Sequence, residues 1–154
     1  MYREMRKKKR QLSEKETLEI IETGEYGVLA TTGPDNQPYA VPVNYVYHNG
    51  KIFFHCARSG QKIDNMKSNP MISFCIVYNC DIIPEKFTTG FKSAIVFGTA
   101  READDTEKKE GLIALVNRFS GDNIAAGAEE IKKAWDATTV IVIDIEHMTG
   151  KGSK

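Results

Sequence analysis

The residues best equipped for chemistry lie in one short stretch, Phe54-His55-Cys56-Ala57-Arg58-Ser59-Gly60-Gln61-Lys62. An apolar run ends there, a polar turn with a glycine follows, and a helix-compatible segment opens. Ser59 is placed to cap that helix, leaving the N–H groups of Gly60, Gln61 and Lys62 without intrahelical partners. A helix start of this kind attracts anions, and Lys62 adds a full positive charge. Upstream, Asn49-Gly50 between two apolar runs predicts a type I′ hairpin, because both central positions need positive φ. That turn sets His48 against Lys51 and Tyr47 against Ile52, and its register carries Asn44 opposite His55. Two readings of the group stand: a phosphate pocket beside a polar-lined sheet, or an ordinary capped helix with a surface lysine. Neither GxxxxGK[ST] nor a GxGxxG after a strand is present, so the loops that bind nucleotides in those ways are excluded.

Other chemistry-bearing residues are scattered. His48 and His147 have no partner at ligand spacing, and no metal site is expected. Cys56, Cys75 and Cys80 form no CxxC pair and are odd in number, which argues against a disulfide framework or a zinc ribbon. Phe87 and Phe91, in a stretch that reads as irregular, are either core residues or rings that stack on a planar ligand. No carboxylate pair or nucleophile triad stands out.

The elements that must position these groups follow from periodicity and punctuation. Ser13-Glu14-Lys15-Glu16 fits a capping box, and Gly24 is the expected stop of that short helix. Strands are predicted at 26–31, 39–47, 52–56, 71–78, 93–101 and 138–146, with residues 79–92 irregular. Pro42 lacks an N–H and marks an edge or a break. Helices are predicted at 60–68, 104–118 (Leu112, Leu115, Val116 and Phe119 inward) and 128–136, with Trp135 as an anchor. Six strands with short helices suggest a small antiparallel β-barrel rimmed by helices.

The chain has 154 residues, with 21 basic and 21 acidic side chains and 41% hydrophobic residues, enough for one core. Residues 1–12 read as a basic leader and 13–154 as a single domain. Residues 1–10 carry six basic side chains against one acid, whereas 31–100 hold only ten charged side chains. A body so poor in cations argues against nucleic acid as a partner. No apolar run is long enough to span a bilayer and the N-terminus has no apolar signal region, so no membrane partner and a cytoplasmic location are expected.

In order along the chain, 25–31 (EYGVLAT), 37–45 (QPYAVPVNY), the Asn-Gly hairpin, 52–57 (IFFHCA), Gly60-Gln61-Lys62, Asn69-Pro70, 93–98 (SAIVFG) and 145–151 (IEHMTGK) form an ordered set. With it the chain resembles the pyridoxamine-phosphate-oxidase-like FMN-binding split-barrel superfamily, especially its nitroimidazole-resistance-type branch. The resemblance implies a six-stranded antiparallel split β-barrel with short peripheral helices, and FMN held at a homodimer interface by residues of both chains. Val41, Pro42, Val43 and Asn44 match positions that border the flavin ring. His55, Cys56, Ala57, Ser59, Gly60, Gln61 and Lys62 match the segment that receives ribityl and phosphate. Ser93 and Lys151 match further positions that reach the cofactor, and His55 matches a histidine regarded as functional in that branch.

Departures matter too. Where pyridoxamine-phosphate oxidases carry an arginine and a lysine before the hairpin, this chain has Val41 and Val46. Gln61 replaces a basic residue, and the arginine-bearing C-terminal motif is missing. Without those cations a pyridoxal phosphate substrate loses its charge-assisted hydrogen bonds. The expected function is therefore an FMN-dependent oxidoreductase moving electrons from a reduced nicotinamide to a small acceptor such as a nitroaromatic or quinone. The alternative is a flavin- or haem-binding carrier or sensor without turnover, with His55 available as an axial ligand.

Overall fold

The computed structural model describes residues 1–153; Lys154, the last residue of the expected domain, lies outside them. Seven strands build one antiparallel sheet: β1 (Tyr26–Thr32), β2 (Pro38–Asn44), β3 (Val46–His48), β4 (Lys51–Ala57), β5 (Met71–Ile83), β6 (Thr88–Glu102) and β7 (Thr138–Gly152), in the spatial order β2-β1-β5-β6-β7-β4-β3. Val41 and Val43 at one edge and Tyr47 at the other pack against the same core, made by Leu29, Ile52, Phe54, Phe74, Ile76, Val96 and Ile143. Contact between strands so far apart in the order requires the sheet to curl, and the result is a split half-barrel.

The expected six strands become seven because 39–47 is not one strand. Tyr45 is buried and its hydroxyl donates to the Ile21 carbonyl at 2.6 Å. The chain breaks there, so β2 pairs with β1 while β3 pairs with β4. His48–Lys51 and Tyr47–Ile52 pair as the turn dictates, with Asn49 and Gly50 both at positive φ. Beyond Val46–Phe53 that ladder ends. Asn44 pairs with Tyr26 and His55 with Val140, so the expected Asn44–His55 pairing is not formed. Pro42 sits on β2, the terminal strand, where its missing donor is tolerated.

Two strands run longer than their apolar patterns. Residues 79–92 are not irregular: β5 and β6 continue past a bulge at Val77/Asn79 as a two-stranded ribbon, Asn79–Lys92 to Ile83–Thr88, closed by a turn at Pro84–Lys86. β7 extends to Gly152 because β6 offers it a ladder through Lys92.

Four helices cover the sheet. In α1 (Glu14–Thr23) the capping box is complete: Glu16 N–H donates to Ser13 Oγ and Ser13 N–H to Glu16 Oε2. Gly24 ends it in ordinary extended backbone, and glycine is needed there for space, since a Cβ would stand 2.5 Å from the Tyr45 hydroxyl. Helix α2 (Gln61–Ser68) sends Ile63 and Met66 into the barrel, and its buried Asn65 donates to Thr31 Oγ1 at 3.0 Å. Helix α3 (Asp105–Phe119) lays Leu112 and Leu115 on Phe53, Val140 and Val142, a second core on the outside of the curl. Val116 is only half-buried and Phe119 is exposed, contrary to the expected inward stripe. Helix α4 (Ile124–Ala134) begins earlier than its pattern and buries none of its residues, and Trp135 lies just past its end.

The basic leader is laid against the sheet. Tyr2 stacks on His147 at 4.7 Å with a 4° interplanar angle and lies 5.1 Å from Phe97. Its hydroxyl donates to Glu146, and Leu12 N–H donates to the Gly150 carbonyl.

Candidate flavin site

A cavity of about 720 Å³ lies between the α3–α4 pair and the ends of β2, β4 and β7. Leu112, Leu115, Val116, Phe119 and Ile131 give it an apolar wall; Asn44, His55, Thr138 and Glu130 supply the polar groups. Its size and mixture of walls suit a planar, mostly apolar ligand with a few oriented hydrogen bonds. His55 reaches it because β4 alternates: Ile52 and Phe54 point into the barrel, whereas Phe53 and His55 point towards α3. The His55 side chain is exposed and makes no hydrogen bond or ion pair among the described residues. Asn44 comes to the same cavity by a different route from the expected one, at the end of β2, where its amide donates to the Glu25 carbonyl at 2.9 Å.

Beyond β4 the turn 58–60 leads into α2. Gly60, not Ser59, is the N-cap, at φ 148°, and no side chain caps the helix. Its first N–H groups are therefore free of a side-chain partner. Gly60 and Gln61 line a shallow opening against the β1–β2 turn, with Asp35 and Asp64 on its rim. Lys62 is half-buried and in no ion pair among the described residues, near enough to Cys56 to act on its thiol. Arg58 is drawn aside, donating to the Asp136 carbonyl at 2.8 Å. Burial raises the Cys56 thiol above its ordinary pKa; Lys62 opposes this in part and Glu102 adds to it. Burial likewise raises Cys75. Neither is a ready thiolate.

The remaining expected residues divide by sheet face. Val41 and Val43 are half-buried against the barrel core, while Pro42 and Asn44 point outwards. Ala57 and Ser59 are exposed beside the turn. Ser93 and Lys151 are cross-strand partners on β6 and β7, with Lys151 Nζ 5.6 Å from the Phe91 ring. One chain thus presents three sets: Asn44 and His55 at the cavity, the α2 start with Lys62 near Cys56 on the other face of β4, and Ser93 with Lys151 on the outward sheet face. Residues of the α3–α4 wall, above all Phe119, Glu130 and Ile131, and Thr138 at the start of β7 were not expected at the site. The available signal was an apolar stripe on each helix with more apolar residues than one core needs.

A curled antiparallel sheet with a polar-and-apolar cavity at its rim defines a split-barrel protein. The chain belongs to the pyridoxamine 5'-phosphate oxidase family, whose model matches residues 13–152. A relative, the uncharacterized protein RA0666 of Rhizobium meliloti (strain 1021), is 33% identical over 100 residues, which is 64% of this chain and 60% of that protein. The match thus spans less than two thirds of the relative's length. Among solved structures, a candidate 5-nitroimidazole antibiotic resistance protein from Bacteroides thetaiotaomicron VPI-5482 superposes with a TM-score of 0.75 at 19% identity, over 92% of this chain and 86% of the other. The FAD and haem binding protein from Mycobacterium smegmatis gives 0.78 at 19% identity, over 94% and 74%. At such identities these likenesses establish the fold.

Proposed function

We propose that this protein is a homodimeric flavoprotein that binds FMN and acts as an oxidoreductase, passing electrons from a reduced nicotinamide to a small acceptor such as a nitroaromatic or a quinone. The observation that carries the reading is the cavity of about 720 Å³ with Asn44 and His55 on its wall, in a chain of this family. Bound FMN supplies hydride acceptance and electron transfer to the second substrate. The chain's part is to bind and orient. Lys62 and the free N–H groups at the start of α2 meet the phosphate, with the charge-assisted strength that an unpaired cation gives. Val41, Pro42, Val43 and Asn44 border the ring, and His55, Cys56, Ala57, Ser59, Gly60 and Gln61 follow the ribityl chain. His55 also positions the acceptor or gives it a proton. Asp35 and Asp64 repel a phosphate displaced towards the β1–β2 turn, which keeps it on the Lys62 side.

Three features support a second copy in the site. Ser93 and Lys151 stand apart from the His55 cavity, as expected if one chain's pair completes the other's site. The accessible surface is 9849 Å², against about 7,800 Å² typical of a folded monomer of this mass. The outward sheet face, with Pro42, Val28, Cys75 and Ile95 in one transverse row, is apolar enough to be covered. The three free cysteines suit a cytoplasmic location, and no helix among the described residues is long and apolar enough to cross a membrane.

The test is to purify the protein, record its spectrum and titrate it with FMN. Retained flavin, or quenching of FMN fluorescence on addition, is the expected result; absence of both after reconstitution refutes it. A second reading, a haem or flavin carrier without turnover, is favoured by the unpartnered His55 imidazole at an apolar cavity wall. A Soret band in the purified protein in place of a flavin spectrum decides for haem.

A further inference from the structure

The β5–β6 ribbon is unusual for a chain that otherwise packs its apolar surface. β1 pairs with β5 only at Ser73–Cys75, and β7 leaves β6 at Lys92–Gly152. Phe91 is still held by Ser153, whose N–H donates to the Phe91 carbonyl at 2.9 Å and whose Oγ accepts from the Phe91 N–H at 2.7 Å; beyond it, from Asp81–Gly90 to Ile83–Thr88, no further strand pairs with either outer edge among the described residues. Edges of this kind are normally blunted by charge or covered. Asp81, Glu85, Lys86 and Lys92 charge this ribbon, yet Tyr78 is 55% exposed at the bulge, Ile82 75%, and Phe87, in left-handed backbone at the turn, 97%. Elsewhere on the same chain lies the reverse feature, the cavity whose apolar wall is made by Leu112, Leu115, Val116, Phe119 and Ile131.

We infer that the ribbon is a dimerisation arm that lies on a second copy of this chain and delivers Phe87 to the mouth of that copy's His55 cavity. The inference rests on the homodimeric flavoprotein reading and names what holds the dimer and covers its site. Three observations commit it to a second copy. A protruding ring and an apolar recess on one chain are both satisfied by a single two-fold contact, in which each copy gives an arm and receives one. The outward sheet face offers the apolar row Pro42, Val28, Cys75 and Ile95, and a stable interface buries about 800 Å² per partner, more than a row of four side chains supplies. Tyr2 already covers its Phe97 and His147 corner. The ribbon is continuous with that face through Val77, 52% exposed, and reaches about 17 Å beyond it at 3.4 Å per residue. Its apolar area supplies the missing contact. Seated at the cavity, the Phe87 ring shields a planar ligand from water and leaves Asn44 and His55 to orient it.

The experiment places the photo-crosslinker p-benzoylphenylalanine at position 87 of the full-length protein, mixes isotope-labelled and unlabelled copies, irradiates, and maps the linked peptides. An inter-copy link to residues 112–134 is expected. A monomer, a link within one copy, a link to another segment or to a co-purifying protein, or a dimer without that link overturns the arm. As a second variant, Phe87→Lys changes a side chain that touches almost nothing in the monomer. It is expected to weaken self-association at least tenfold by sedimentation with an unaltered circular dichroism spectrum; unchanged self-association overturns the arm. FMN titration of the wild type separates the two readings. A mapped link without FMN binding sinks only the cofactor proposal, and FMN binding without the link sinks only the arm.

Discussion

At the scale of single residues, Lys62 concentrates what the site requires. Two neighbouring cations are engaged elsewhere: Arg101 with Glu107 and Asp144, Arg58 with a carbonyl. Lys62 is half-buried and unpaired among the described residues, held where the α2 start opens. A hydrogen bond to a charged group contributes roughly 1.5–3 kcal/mol. Lys62→Ala is accordingly expected to weaken FMN binding by about tenfold or more, read by fluorescence titration, with little change in thermal stability. Equal affinity in the variant removes Lys62 from the phosphate site. This residue was legible in the sequence, because a strand end, a glycine turn and a helix start fix where its backbone lies. The cap was not: Ser59 has the right chemistry, but the chain turns one residue later, at Gly60.

At the scale of elements, α3 must be held in place for the cavity to exist, since it makes one wall. Arg101 does this from β6, with Nε 2.7 Å from Asp144 on β7 and Nη1 2.7 Å from Glu107 in the first turn of α3. Lys51 on β4 lies 3.8 Å from Glu107. The Arg101 hydrogen bond holds the Glu107 carboxyl down to about 2, below its ordinary 4.5. A carboxyl depressed in the folded state contributes stability above its unfolded pKa and loses it as pH falls through the folded one. Acid unfolding should therefore show a component between about pH 4.5 and 2, and Glu107→Gln should flatten that part of the curve while lowering stability at neutral pH. Identical acid titrations of the two proteins would show that the bridge does not hold α3. Only the tertiary structure brings these partners together: Arg101 and Asp144 are 43 residues apart, and no pattern marks them.

At the scale of the whole molecule, the apolar area left outside the fold is the dominant fact. Single exposed apolar residues are ordinary, whereas a sheet face, a ribbon and a recess together support the proposed association. Association that favours the folded state makes thermal stability depend on concentration by mass action. The midpoint of unfolding is expected to rise as protein concentration is raised, and to rise further with FMN. A midpoint independent of concentration would mean that the chain folds and persists alone. The Asn44–His55 relation shows why such features are hard to read from sequence. Both residues reach one cavity through the curl of the sheet and not through the shared ladder that the hairpin register predicts.

What the sequence determined by itself was local: the capping box at Ser13, the Asn49-Gly50 turn, the edge position of Pro42, and the strand–turn–helix around Lys62. Each depends on a few neighbouring residues whose φ, hydrogen bonding or side-chain reach permits one outcome. The tertiary structure decided the break at Tyr45, the continuation of β5 and β6 into a ribbon, and the α3–α4 wall. Those depend on partners distant in the chain. A buried hydroxyl finds the Ile21 carbonyl, a polar stretch is held extended by the strand across from it, and two amphipathic helices meet beside His55 only after the sheet has curled.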